Sequence, residues 1–178
     1  MVTALTLDGR EKWVSNLGSF KGRHGGGASL VVYNGLVWIN NDQDGPSSLI
    51  ALKVDSGAVS YKIDRLTDKV SYGTPCLCQE AGRPDQLIFA SSSHGLTSVN
   101  PLNGAINWDC TNLFEARVVS SPIRADGLII CTEWDEFRQL DLEKLHAIMG
   151  QPIVLDGRNL YDPQKMAELG FVYKCIGR

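Results

Sequence analysis

The chain has 178 residues, 43% of them hydrophobic and 21% charged, with a formal net charge of −3. That length holds one ordinary domain or two small ones. No apolar run reaches the roughly 18 residues that would span a membrane, and there is no basic field of the kind nucleic acid requires, so neither partner is expected.

The first nine residues carry no basic n-region and no apolar h-region, so they do not read as a signal peptide; the chain starts in what looks like the middle of a repeat. Three segments align. Ala4-Leu5-Thr6-Leu7-Asp8-Gly9 leads to Trp13, Ala51-Leu52-Lys53-Val54-Asp55-Ser56-Gly57 leads to Tyr61, and Ser98-Val99-Asn100-Pro101-Leu102-Asn103-Gly104 leads to Trp108. Each is an alternating strand, an Asp/Asn-Gly turn and a second strand ending in an aromatic, with a period of about 47 residues.

Between these units the sequence predicts hairpins. Ala28–Tyr33 and Leu36–Ile39 flank Asn34-Gly35, the pair that best tolerates the positive φ angles of a type I′ turn. The equivalents are Thr74–Leu77 with Leu87–Ala90, across a longer loop at Gln79–Gln86, and Ser121–Ile123 with Leu128–Ile130. Four short strands per period are the pattern of propeller blades, in which glycine makes the tight turn and the aromatic can dock on the neighbouring blade.

On these residues, positions 2 to about 130 resemble PQQ-like (quinoprotein-like, BamB-like) β-propeller repeats, including secreted bacterial members. Phe20–Gly25, Asn40–Ser47 and Ser91–Ser98 carry the same likeness. The resemblance implies a scaffold or binding module. Quinone-dependent members carry a vicinal cysteine pair, which this sequence lacks, so PQQ is not expected. About two and a half blades are present, against the ~4–8 of closed rings. A free blade edge therefore makes protein an expected partner, and several copies could complete a ring.

His24 and His94 precede glycines in loops, and no nucleophile or ligand set recurs beside them, so they read as polar loop residues. Asn40–Gly45 lacks the spaced ligands and final Glu of an EF-hand and reads as a blade connection. The five cysteines, Cys76, Cys78, Cys110, Cys131 and Cys175, have no metal-ligand spacing and read as structural free thiols. Cys76 and Cys78 fall on one face of a strand. Cys131 and Cys175 lie in apolar strands, where burial keeps a thiol inert. Gly25-Gly26-Gly27 precedes a strand and not a helix, so it is no substitute for a dinucleotide fingerprint.

After Trp134 the pattern changes. Asp141 caps a predicted helix over Leu142–Met149, closed by Gly150 and Pro152. Pro152–Leu155 reads as a strand ended by Asp156-Gly157. Asp162 and Pro163 open a second helix through Leu169, closed by Gly170, and Phe171–Ile176 reads as a last strand. With Leu128–Cys131 in front, this is β-α-β-α-β, one edge of a parallel sheet. Leu128–Cys131 suits a buried strand in either half, and is expected to pair both with propeller strands and with Ile153–Leu155.

Thr132–Arg138, Asp156–Pro163 and Gly170–Arg178 together resemble the C-terminus of the UDP-glucose 6-dehydrogenase family, over about residues 126–178. That family oxidises UDP-glucose to UDP-glucuronate with NAD. The arginine of its Asp-Gly-Arg motif lies at the UDP-sugar site, which the resemblance places at Arg158. The family's G-x-G-x-x-G segment and the segment of its nucleophilic cysteine are absent from this sequence. No catalytic residue and no cofactor are therefore expected, NAD belonging to the intact family. A UDP-sugar is the expected small-molecule partner.

The expected fold is mixed: a partial β-propeller of about 2.5 four-stranded blades over residues 1–130, then a Rossmann-like edge fragment over 131–178. The expected function is a fusion of a propeller scaffold or binding module with a UDP-sugar-binding tail, not catalytic as it stands. Neither half looks complete. A competing expectation is the dehydrogenase activity itself. The propeller likeness implies export and the dehydrogenase likeness the cytoplasm.

Overall fold

The computed structural model describes residues 1–111, 113, 118, 121–122, 124, 128–130 and 135–177. The chain divides into two compact units, Met1–Ile123 and Arg124–Arg178.

The first unit is built of antiparallel strands. β1 (Val2–Leu5) and β2 (Glu11–Ser15) form a hairpin. β3 (Val31–Tyr33), β4 (Leu36–Asn41), β5 (Gly45–Lys53) and β6 (Val59–Thr67) form a four-stranded sheet in chain order. So do β7 (Cys76–Cys78), β8 (Gln86–Ser91), β9 (Gly95–Val99) and β10 (Ile106–Cys110). Asn34 and Gly35, at φ 46° and 74°, make the two-residue turn between β3 and β4 with the positive angles that a type I′ turn needs.

Strand alternation decides what each face buries. Trp38, Leu49 and Ala51 of one four-stranded sheet pack with Leu87, Phe89 and Val99 of the next. The Trp38 ring lies 6.1 Å from Phe89 and stacks on Tyr61 at 6.2 Å. On the opposite face, Val37, Ile39, Ile50 and Leu52 are covered by Val2, Trp13 and Leu17. The central strands β4 and β5 are thus buried on both sides, which is why Leu49-Ile50-Ala51-Leu52 is continuously apolar where a one-sided strand would alternate. Each such fully buried side chain of leucine size contributes ~1.5–3 kcal/mol. β10, at the far edge, is exposed along its whole length.

One end of the inter-sheet core is polar. Arg65 donates to both carboxylate oxygens of Asp42 at 2.7 Å and to Asn40 Oδ1 at 3.1 Å. The Arg65 side chain is 6% and that of Asp42 0% exposed. The Asn40–Gly45 stretch is therefore the β4–β5 connection, with its one buried carboxylate already held by a guanidinium.

In the second unit, β11 (Leu128–Ile130), α1 (Asp135–Arg138), α2 (Leu142–Ile148), β12 (Ile153–Asp156), α3 (Pro163–Glu168) and β13 (Val172–Cys175) alternate. The strands form a parallel sheet in the order β11-β12-β13. Asp141 and Asp162 cap α2 and α3 by accepting from the backbone N–H groups of Lys144 and Lys165. Val154, Met166 and Phe171 form the core, with Leu128, Leu142, Leu145 and Leu169 packed around it.

The structure corrects the reading of the join. Among the described residues β11 pairs only with β12, in parallel, and stands at the edge of its sheet. Among the described residues it pairs with no strand of a second sheet, and Ile123 of the expected hairpin lies outside the described residues. The unit division at 123/124 accordingly leaves Leu128–Ile130 with the second unit, where the sequence reading ended the first at 130.

Candidate functional site

The carboxyl end of β12 runs into the segment that carries Arg158. Its last residue, Asp156, is 2% exposed, and a carboxylate at that depth must be fully hydrogen-bonded. It is. Oδ1 accepts from the Arg158 backbone N–H at 2.8 Å, and Oδ2 from those of Leu160 and Tyr161 at 2.7 and 3.3 Å. The Tyr173 hydroxyl donates to Oδ2 at 2.7 Å, and the Tyr161 carbonyl lies 3.1 Å from the same hydroxyl. The register of β12 and β13, Val154 opposite Tyr173, brings that hydroxyl to the loop.

One side chain therefore winds the loop around itself. The curl needs a left-handed residue, which Asn159 supplies at φ 57°. The Tyr161 hydroxyl donates in turn to the Phe137 carbonyl, tying the loop to α1. Asp162 and Pro163 then start α3. Gly157, Arg158 and Asn159 stay exposed at the crown.

The electrostatics follow from this geometry. Burial by itself would raise the Asp156 pKa, but the Tyr173 hydroxyl and the three backbone N–H groups outweigh it and hold the carboxyl below its usual range. Burial, followed by the bond to Asp156, pushes the Tyr173 hydroxyl well above its usual range, so it remains a donor. The result is a rigid anionic base under a loop whose crown presents a guanidinium. Such a crown, at the carboxyl edge of parallel strands, suits oxygen-rich ligands: the guanidinium fork matches phosphate or vicinal sugar oxygens.

The other sequence candidates lie elsewhere. His24 is exposed in the segment before β3. The His94 ring donates from Nε2 to the Leu66 carbonyl at 2.9 Å. Cys76 and Cys78 are half-buried with their sulfurs 3.9 Å apart, and Cys175 is half-buried in β13. Cys110 is a free thiol exposed on the edge strand β10. Cys131 lies outside the described residues. Among the described residues no group of three His, Cys, Asp or Glu side chains is placed to hold a metal ion.

Sequence reasoning named Arg158 but took Asp156 only as a strand terminator, and gave Tyr161 and Tyr173 no role. One signal was available: an aspartate two residues before another loop residue is the spacing of an Asx turn. The tyrosines become visible only once the parallel register is known.

Residues 112–163 match the model of the UDP-glucose/GDP-mannose dehydrogenase family, UDP binding domain. UDP-glucose 6-dehydrogenase of Pseudomonas aeruginosa is 56% identical over 54 residues, 30% of this chain and 12% of that protein. UDP-glucose 6-dehydrogenase 3 of rice, Oryza sativa subsp. japonica, is 51% identical over 55 residues, again 30% and 12%. The enzyme of Rhizobium meliloti is 48% identical over 54 residues, with the same coverage. The C-terminal region is thus similar to the UDP-binding domain of these dehydrogenases, and the chain spans about an eighth of their length.

Proposed function

We propose that the second unit is a UDP-sugar recognition fragment. Arg158 grips the sugar oxygens or the diphosphate, and Asp156 holds the loop in the binding shape. The observation that carries this reading is the exposed Arg158 on a loop organised by a buried carboxylate at the carboxyl edge of a parallel sheet. The family match over residues 112–163 supports it. The reading assigns binding and not oxidation, which belongs to relatives about eight times the length of the matched stretch.

Calorimetric titration of the whole chain with UDP-glucose tests it. Binding is expected, and Arg158→Ala should weaken it about tenfold or more, since charge-assisted bonds to an anion are worth roughly 1.5–3 kcal/mol. No heat with UDP-glucose, or equal binding by the variant, would overturn the proposal.

For the first unit the reading is about two and a half blades of a β-propeller, acting as a scaffold or protein-binding module. Two four-stranded meanders in chain order, preceded by a hairpin, support it. An experimental structure in which β3–β6 and β7–β10 do not radiate from a common axis would sink that reading.

A further inference from the structure

β7 carries two cysteines with one residue between them, so strand alternation sets both on one face. Leu77, between them, turns to the other face and packs against the core of Trp38 and Phe89. That contact pins the strand, and its pairing with β8 fixes Cys76 opposite Ile88 and Cys78 opposite Gln86. Both thiols are half-buried on a regular strand rather than a loop.

Along an extended strand, Cα atoms two residues apart are separated by ~6.4–6.8 Å. The two sulfurs nevertheless lie 3.9 Å apart, so the side chains lean toward one another. That is far beyond the ~2.05 Å of a disulfide, and the strand spacing sits near the outer limit from which a disulfide can close. It does match the bite of two thiolates on one ion. With metal–sulfur bonds of ~2.3 Å, an angle between tetrahedral and trigonal places the sulfurs ~3.8–4.0 Å apart.

The surroundings select the kind of ion. Thiolates favour soft cations, and the cross-strand neighbours Ile88 and Gln86 bring neither a charge nor a hard carboxylate oxygen. Among the described residues no third His, Cys, Asp or Glu completes a group around the pair. A structural Zn²⁺ takes four such ligands, whereas Cu(I) is satisfied by two thiolates and one external donor from the open side.

From this geometry we propose that Cys76 and Cys78 form a chelating dithiol site for a thiophilic, low-coordinate cation, Cu(I) being the biological ion of that chemistry. The sequence reading takes the two as structural thiols; the convergence of their sulfurs gives them a ligand. Binding releases the two thiol protons and transfers no electron. The site is held by the β7–β8 pairing and by Leu77, so it depends neither on the UDP-sugar reading nor on the propeller reading.

Anaerobic titration of the reduced full chain with Cu(I) held by a chromogenic chelator tests it. One Cu(I) per chain should pass from the chelator to the protein. Cys76→Ser and Cys78→Ser should each weaken uptake at least about a hundredfold, the upper end of what losing even a supporting partner costs a metal site. A chain carrying Cys110→Ser, Cys131→Ser and Cys175→Ser together should take up Cu(I) as before. Phenylarsine oxide, which bridges neighbouring thiols, gives a reading that needs no substitution: mass mapping of the unaltered chain should place it across Cys76 and Cys78. Should the triple variant unfold, the position of the arsenical decides. Cu(I) left with the chelator, uptake unchanged by either single serine, uptake lost in a folded triple variant, or the arsenical on other cysteines would overturn the inference.

Discussion

Asp156 does for its loop what a small core would do for a larger one. A buried carboxylate with four donors fixes the backbone from Arg158 to Tyr161, so the crown needs little further packing. Its folded pKa is depressed, so its contribution to stability is present above the ordinary carboxylate range and is lost as pH falls through the lower folded value. Asp156→Asn keeps the shape but turns an amide NH2 toward backbone donors, and should cost about 2 kcal/mol. Urea melts at pH 7 and pH 3 check this: the gap between the two proteins is expected to narrow at the lower pH. A gap independent of pH would show that the charge plays no part. At this scale the sequence was half legible. Arg158 stood in a recognisable motif, whereas the groups that hold its loop come together only through the parallel pairing of β12 with β13.

Among the elements, signals that act within a few residues read well. The Asn34-Gly35 turn, the Asp141 and Asp162 caps and the Pro163 start all sit where their chemistry places them. At Leu128–Ile130 the expected parallel pairing with Ile153–Leu155 is present, while the expected second pairing with first-unit strands is not seen among the described residues, the apolar run suiting either setting. Whether such a strand gains a second partner is set by long-range packing, which its composition does not decide. Repeat contacts are equally non-local, and Gly57 offers a measurement of one. Gly57→Ala would bring a Cβ against the Trp13 ring, at a φ of 69° that L-residues rarely adopt. The loss should exceed roughly 1–2 kcal/mol, seen as a lower melting temperature for the first unit. Gly82→Ala, with open space around it at φ 80°, isolates the backbone cost alone. Equal losses at the two sites would mean that the ring is not seated.

For the whole molecule, the two units differ in what they bury. The first has two hydrophobic clusters on either side of one sheet, while the second rests on Val154, Met166 and Phe171 with partly exposed neighbours. A unit of that size removes a smaller share of its surface from water. Amides of β12 and β13 are therefore expected to exchange with solvent at least about tenfold faster than those of β4, β5, β8 and β9. Equal protection in both units would refute this ranking. The change of architecture itself was legible, because glycine-rich turns give way to capped helices; the strand at the change was legible in its pairing with β12 but not in which unit it leaves unpaired, because its composition serves both.

The Trp13 indole N–H donates to the Val54 carbonyl and the Tyr61 hydroxyl to the Leu102 carbonyl, each 41 residues further on, and this recurrence has a consequence for how such a chain can change its length. Copying residues 51–97 in tandem would add one donor ring and one receiving turn together. A repeat added in this way brings both halves of its own contact, so the packing between neighbours is kept as the number of repeats changes.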